Sequence, residues 1–474
     1  MKKKIKLISI ILIILICFST ISYAVYKVLM IENEDLTFIL NVSKTTGGGS
    51  TPTVQMANAP ELADGMIPIK WDNTNNVWVK TSILNTNNSW YDYNNKQWAN
   101  AALVAEDYRT VEDETTIPMS SIYAMFVWIP RYVYKIPTPY YHTALTETDL
   151  QADTTNPNFI EIHFSDGTND LWDENIVVLN NMSINVNASN NWMTCPAFTF
   201  GTTELTGFWM AKFKASEQNG NIYVKQSETM KYNVSVDNAF IACRNMEANT
   251  IYGWDTASVL NSDATFSTDN NHLDSHLTKN SEWAATCFLA NSQYGVNKTA
   301  VYNTVGTFTT HITGESANST TVYTTNVVRS TTGNAYGVYD MASTVWDSVA
   351  GFIYKTGSIG NSTTLAINAL DKYKDIYKVP QGVSYTLNVG NQASVYGLFE
   401  YINGAAIWES SSTGVDGTTG WFLGRYNIGS GSNLLITRGG STGGFSSIFS
   451  FGYSNGNANS SRGYRPVIVA NSEL

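Results

Sequence analysis

Residues Gly333 to Phe352 read GNAYGVYDMASTVWDSVAGF. Glycines 333 and 337 punctuate a polar and aromatic turn, and a run centred on Trp346 follows it. Glycine takes up backbone angles that other residues resist, so the stretch reads as a tight turn feeding a strand.

Working outward, further blocks flank this one. Two of them are MFVWIPRYVYKI (Met125 to Ile136) and GFWMAKFKAS (Gly207 to Ser216), both similar to strands of a known family that the whole series resembles. NVSVDNAFIACRNM (Asn233 to Met246) and LTKNSEWAATCFL (Leu277 to Leu289) read as helices. ITRGGS (Ile436 to Ser441) and RGYRPVIV (Arg462 to Val469) close the series. In this order the blocks resemble the formylglycine-generating enzyme and sulfatase-modifying-factor family, whose corresponding turn and strand run approximately NAYGLYDMAGNVWEWV. The resemblance covers roughly Ser120 to Leu474. It implies an α+β, C-type-lectin-like fold, loop-rich, with short twisted sheets and two helices. The helices are expected over Asp237 to Met246 and from Ser281 to about Ala290, the second with Thr278 as N-cap and Glu282 in its first turn. Trp283, Cys287 and Ala290 then share one face. Arg438, Arg465, Trp128 and Trp346 are expected to hold structure.

Only 14% of the residues are charged, against 12% that are aromatic, and Asn, Thr, Ser and Gly carry the polarity, a mixture suited to an extracellular β-rich protein. The net charge is −11, and without the four lysines of residues 1–24 the remainder carries −15. Such a field repels phosphate backbones and argues against nucleic acid as a partner. Lys2, Lys3, Lys4 and Lys6 precede an apolar run from Leu7 to Phe18 that continues weakly to Tyr26. Residues 1–26 therefore read as a signal peptide cleaved after Ala24 or as a retained membrane anchor. Either places the rest at the outer face of the membrane or secretes it.

Residues 27–58, ending in TTGGGSTPTVQMAN (Thr45 to Asn58), read as a flexible stalk. Residues 59–115 read as a small β-hairpin module set before the main domain of residues 116–474. Its aromatics, Trp71, Trp78, Trp90, Tyr91, Tyr93 and Trp98, form either a core or a sugar-stacking face, with the core preferred. Cys195, Cys243 and Cys287 read as buried small apolar residues.

Chemistry is weakly signalled. Formylglycine-generating enzymes of the family hold copper with a pair of cysteines after R-G-G-S, yet Thr442 to Arg465 contains no cysteine. Without thiolates that segment offers no soft-ligand site, so no catalytic residue is assigned. His272 and His276 have i, i+4 spacing, better read as a solvated helical approach than as metal ligands. Glu204, Asp347 and Glu409 stand near aromatics, but a glycosidase needs two carboxyls astride one bond. Calcium is the cofactor the resemblance allows, although Thr344 and Asp347 stand where the family has Asn and Glu; the loop Asn261 to Asn271 is a second place for it.

The stretch from Trp408 to Tyr464 carries glycine, asparagine, serine and aromatic residues with few aliphatics, the composition that recognition loops use. Trp408, Trp421, Arg425, Tyr426, Asn427, Phe445, Tyr453, Asn455, Asn457 and Asn459 are the candidate ligand-binding residues. The competing reading puts Phe445, Phe449 and Phe451 in the core and the asparagines in turns. The region also resembles the variable proteins of diversity-generating retroelements. The expected function is binding of a cell-surface glycan or protein without bond breaking. An extracellular metal-dependent enzyme and a structural component of an extracellular assembly are the alternatives.

Overall fold

The run Ile122–Pro130, IYAMFVWIP, is apolar along almost its whole length and forms the central strand of a seven-stranded antiparallel sheet. A continuous apolar run of this length suits a strand covered on both faces. The computed structural model that shows it describes residues 56–136, 160–167, 176–177, 192–254, 260–268, 273–296, 302–303, 312–314, 327–343, 345–354, 365, 368–378, 404–407, 409–410, 421, 435–440 and 446–470. On one side of the central strand lie Gly207–Ala211, Pro466–Ala470 and Leu273–Leu277. On the other lie Asn100–Val104, Met66–Asp72 and Val77–Lys80. Trp209 stands opposite Trp128, and their rings meet 5.2 Å apart. A buried aromatic pair of this kind adds about 0.5–1.5 kcal/mol beyond its area.

Residues 59–115 do contain a hairpin, Met66–Asp72 with Val77–Lys80, but it is not a separate module. Asn100–Val104 pairs with both that hairpin and the central strand, so the described part of this segment shares the seven-stranded sheet. A segment this short buries too little surface to stand alone, so it completes the larger sheet instead. Its aromatics are core. Trp78, Trp90, Tyr93 and Trp98 are buried, Trp71 and Tyr91 half-buried. Tyr93 donates its hydroxyl to Trp128 O at 2.8 Å, and Trp98 donates Nε1 to Tyr294 O at 2.8 Å. The end of the expected stalk is also tied down: Asn58 Nδ2 donates to Ser165 O at 2.7 Å and Thr206 O at 2.9 Å. The rest of residues 1–58, up to residue 55, lies outside the described residues. Among the described residues, no helix is long and apolar enough to cross a membrane.

A second sheet places Trp346–Tyr354 beside Asp375–Lys378 in parallel and beside Leu435–Arg438 antiparallel, with Phe451–Ser454 beyond. Tyr132–Lys135, Glu161–Phe164, Trp192–Thr194 and Ile176–Val177 form a third. Helix α1, Val236–Arg244, starts where Ser235 Oγ accepts the Asn238 N–H at 3.2 Å. Helix α2, Asn280–Ala290, is buried at every position, including Trp283, Cys287 and Ala290. The molecule is thus α+β and loop-rich, with few helices and mainly antiparallel sheets.

The start of α2 differs from expectation. Its N-cap is Lys279, whose backbone N–H donates to Glu282 Oε2 at 2.7 Å, while the Thr278 hydroxyl donates to Arg465 O at 2.8 Å. Interior packing claimed the threonine, and the N3 glutamate supplied the cap. His276 lies on the strand Leu273–Leu277, not on a solvated helix; it is fully buried, with Nε2 at 2.9 Å from Glu282 Oε1. His272 falls outside the described residues. The three cysteines are free and buried, as expected, and burial pushes each thiol well up. They behave as small hydrophobes with little thiolate to react.

Candidate functional site

The turn at 333–337 is held from below by a residue that sequence reasoning passed over. Lys212 is fully buried and donates Nζ to Ala335 O at 2.6 Å, Gly337 O at 2.9 Å and Asn100 Oδ1 at 2.8 Å. Burial drives its pKa well down. The Trp78 and Tyr339 rings flank the ammonium, 5.2 and 5.3 Å from ring centre to Nζ. Two residues on, Lys214 makes a buried ion pair with Asp347, which Arg465 joins at 3.3 Å. The only hint in the sequence is the K-F-K spacing inside an apolar block.

Arg438 acts as a clamp, as expected. It donates Nε to Asn280 Oδ1 at 2.7 Å and reaches the carbonyls of Ala405, Ala406 and Phe449. Gly439 follows with φ of 73°, and a Cβ there would collide with Met341 O, so glycine is required. Arg465 likewise holds Ala211 O at 3.3 Å and Tyr339 O at 3.1 Å.

On this frame sits the surface turn after Phe451–Ser454. Asn457 N donates to Asn455 Oδ1 at 3.1 Å, and Ser461 N donates to Asn459 Oδ1 at 2.8 Å. Both are short polar side chains replacing a backbone partner in a turn. The turn is braced against the start of α1: Val236 N donates to Gly456 O at 2.9 Å and Asn233 N to Asn459 O at 3.1 Å. The side chains of Asn457, Ala458, Asn459 and Ser460 remain exposed.

The ten candidate binding residues therefore divide. Trp408, Arg425, Tyr426, Asn427 and Phe445 lie outside the described residues. Trp421 is a correction: it is 0% exposed and packs edge-on against Phe449 at 4.9 Å, so its ring offers no face to a ligand. Phe449 and Phe451 are core as well. Tyr453 and Asn455 are half-buried, and Asn457 and Asn459 are exposed. Turn-building and exposure coexist here: Asn457 donates its backbone N–H and Asn459 lends its side-chain oxygen to the turn, and both side chains are exposed.

The carboxylates singled out in the sequence do not converge. Glu204 pairs with Arg131 at 2.6 Å. Glu409 is buried and accepts Gly404 N at 2.5 Å and the Tyr134 hydroxyl at 3.1 Å; burial raises its pKa. Asp347 faces Lys214 and Arg465, and a calcium ion does not fit beside a carboxylate already shared by two cations. Thr344 lies outside the described residues. Around Asn261, Asp263 Oδ1 accepts both the N–H and the hydroxyl of Thr265, which folds the loop onto itself. Among the described residues no three His, Cys, Asp or Glu side chains gather as a metal site would require.

No family model matches the chain, and no curated protein matches it. Its function has to be read from its own residues.

Proposed function

We propose that this chain is a non-enzymatic binding protein, displayed at the outer face of a membrane or secreted, that engages a cell-surface glycan or protein through loops of a C-type-lectin-like domain of the sulfatase-modifying-factor type. The observation that carries the reading is the turn at 455–461: exposed Asn457, Asn459 and Ser460 side chains on a backbone fixed by its own asparagines and by α1. Polar groups presented by a rigid backbone lose little freedom on binding, which favours affinity. The buried lysine under the 333–337 turn and the Arg438 clamp support the lectin-like scaffold, since both occupy the blocks that carry the resemblance.

The test is binding of the full chain in detergent to a glycan and cell-surface protein array, with calcium and with chelator. A variant carrying Asn457→Ala, Asn459→Ala and Tyr453→Ala is run beside it. Binding that the variant loses while keeping its melting temperature supports the reading; a silent array, or binding indifferent to these changes, overturns it.

A further inference from the structure

Helix α1 presents a stripe that the C-terminal turn does not use. Asn238, Ile241, Ala242 and Asn245 recur at i, i+3, i+4 and i+7, the spacing of one helical face. This stripe lines a cleft of about 300 Å³, and Asn221, in the Asn221–Tyr223 strand of the neighbouring hairpin, together with Asn249, just past the helix, closes it. That volume lies at the small end of the range for ligand sites. No charged side chain lines the cleft, in a chain whose net charge is −11.

The lining has two parts with distinct chemistry. Four side-chain amides, each with a carbonyl oxygen and an NH₂, stand around it, and Ile241 and Ala242 give it an apolar strip, each half-buried. Two of the amides are pre-set: Asn249 Nδ2 donates to Asn221 Oδ1, and Asn249 Oδ1 accepts the Ile251 N–H at 3.1 Å. Asn238 and Asn245 are exposed. Amides that donate and accept equally, with no fixed charge, discriminate against ions and match vicinal hydroxyls and secondary amides. The apolar strip between Asn238 and Asn245 takes a methyl group. The first turn of α1 also carries the Val236 N–H bond to Gly456 O, so the cleft and the exposed turn share one helix.

We propose that this cleft binds an uncharged sugar bearing an acetamido group, with hydroxyls and the amide on the asparagines and the acetyl methyl on Ile241 and Ala242. The inference rests on the reading of the chain as a binding protein and adds a site and a ligand class to it. The ligand is compact rather than extended, because the cleft offers only about 300 Å³.

The experiment is saturation-transfer NMR and calorimetric titration of the full chain in detergent. The probes are methyl N-acetylglucosaminide, methyl glucoside, glucuronate and N-acetylalanine methylamide. Methyl N-acetylglucosaminide is expected to bind best, with its acetyl methyl the most strongly saturated group. Asn245→Ala is expected to weaken it about tenfold, the effect of losing one hydrogen bond. Ala242→Phe, which fills the cleft from the helix side, is expected to abolish binding; an unchanged melting temperature in Asn245→Ala separates loss of contact from loss of fold. Absence of binding, equal binding of glucuronate, preference for the peptide-like amide, or binding that survives Ala242→Phe each overturns the proposal. If the array binding described above is lost in the turn variant yet unaffected by Ala242→Phe, the cleft assignment fails and the wider reading stands. If the array is silent while the sugar binds the cleft, the reverse holds.

Discussion

Asp347→Asn removes the carboxylate paired with two buried cations. Lys214 and Asp347 are both 0% exposed, and Arg465 joins them at 3.3 Å. Arg465 keeps the carbonyls of Ala211 and Tyr339 after the change, but the lysine loses its ion-pair partner. Breaking one side of a buried pair costs about 3–5 kcal/mol, against a total stability of about 5–15 kcal/mol for a typical domain. The loss has a pH signature. Burial lowers the Lys214 pKa and the Asp347 charge opposes that, so removing the charge lowers it further. The unfolded lysine, near pKa 10.4 or so, then holds its proton more tightly than the folded one, and stability rises with pH. Equilibrium urea unfolding followed by tryptophan fluorescence should show the variant regaining part of its deficit as pH rises toward the unfolded lysine value of about 10.4, more steeply than the parent chain. A deficit under about 1 kcal/mol, or parallel pH profiles, would show that the pair is solvated or dispensable and refute the reasoning.

Further outcomes follow from the same structure. Trp421→Ala should cost about 3–5 kcal/mol in urea unfolding and leave any ligand affinity of the folded fraction unchanged, since the ring is core. Asn457→Ala with Asn459→Ala should shift the melting temperature little, because exposed substitutions stay within about 0.5 kcal/mol apart from the lost Asn459 turn bond, while lowering array binding. Gly439→Ala should destabilise by about 1–3 kcal/mol, combining a left-handed backbone with a clash at Met341 O, measured as a fall in the urea midpoint. Glu409 has a folded pKa raised by burial, so it contributes stability while protonated and loses it as pH rises past the unfolded value of about 4.3. Glu409→Gln should flatten that decline in melting temperature above about pH 4.3; a profile as steep as the parent's would contradict it.

Periodicity made several things legible. Both helices and the buried cysteines were readable from local rules such as i, i+4 faces and apolar surroundings, while the strand blocks and the arginine clamps were expected from the family resemblance. What escaped depends on partners far away in sequence. Nothing near Trp421 says that Phe449 will cover it. Lys212 and Lys214 look like surface lysines until the 333–337 turn and Asp347 are laid over them. The hairpin at 66–80 looks autonomous until Asn100–Val104 is seen to pair on both sides. His276 carried helical spacing with His272, but its neighbours Leu273, Ser275 and Leu277 pack as a strand, and pairing with Pro466–Ala470 decided the matter. The asparagines of 455–459 illustrate a subtler limit: composition marks them as turn-formers or as contacts, and only the exposure of each shows that two are both.

The Pro466–Ala470 strand lies between Gly207–Ala211 and Leu273–Leu277, with Ile468 opposite both Trp209 and Ser275. Two neighbours made early in synthesis thus wait, unpaired on one edge, for a segment made hundreds of residues later. Closing such a distant contact is slow, and open hydrophobic edges recruit foreign strands while they last. A chain cut before residue 466 would lack the strand that joins Gly207–Ala211 to Leu273–Leu277, leaving their facing edges open to foreign strands and to proteases.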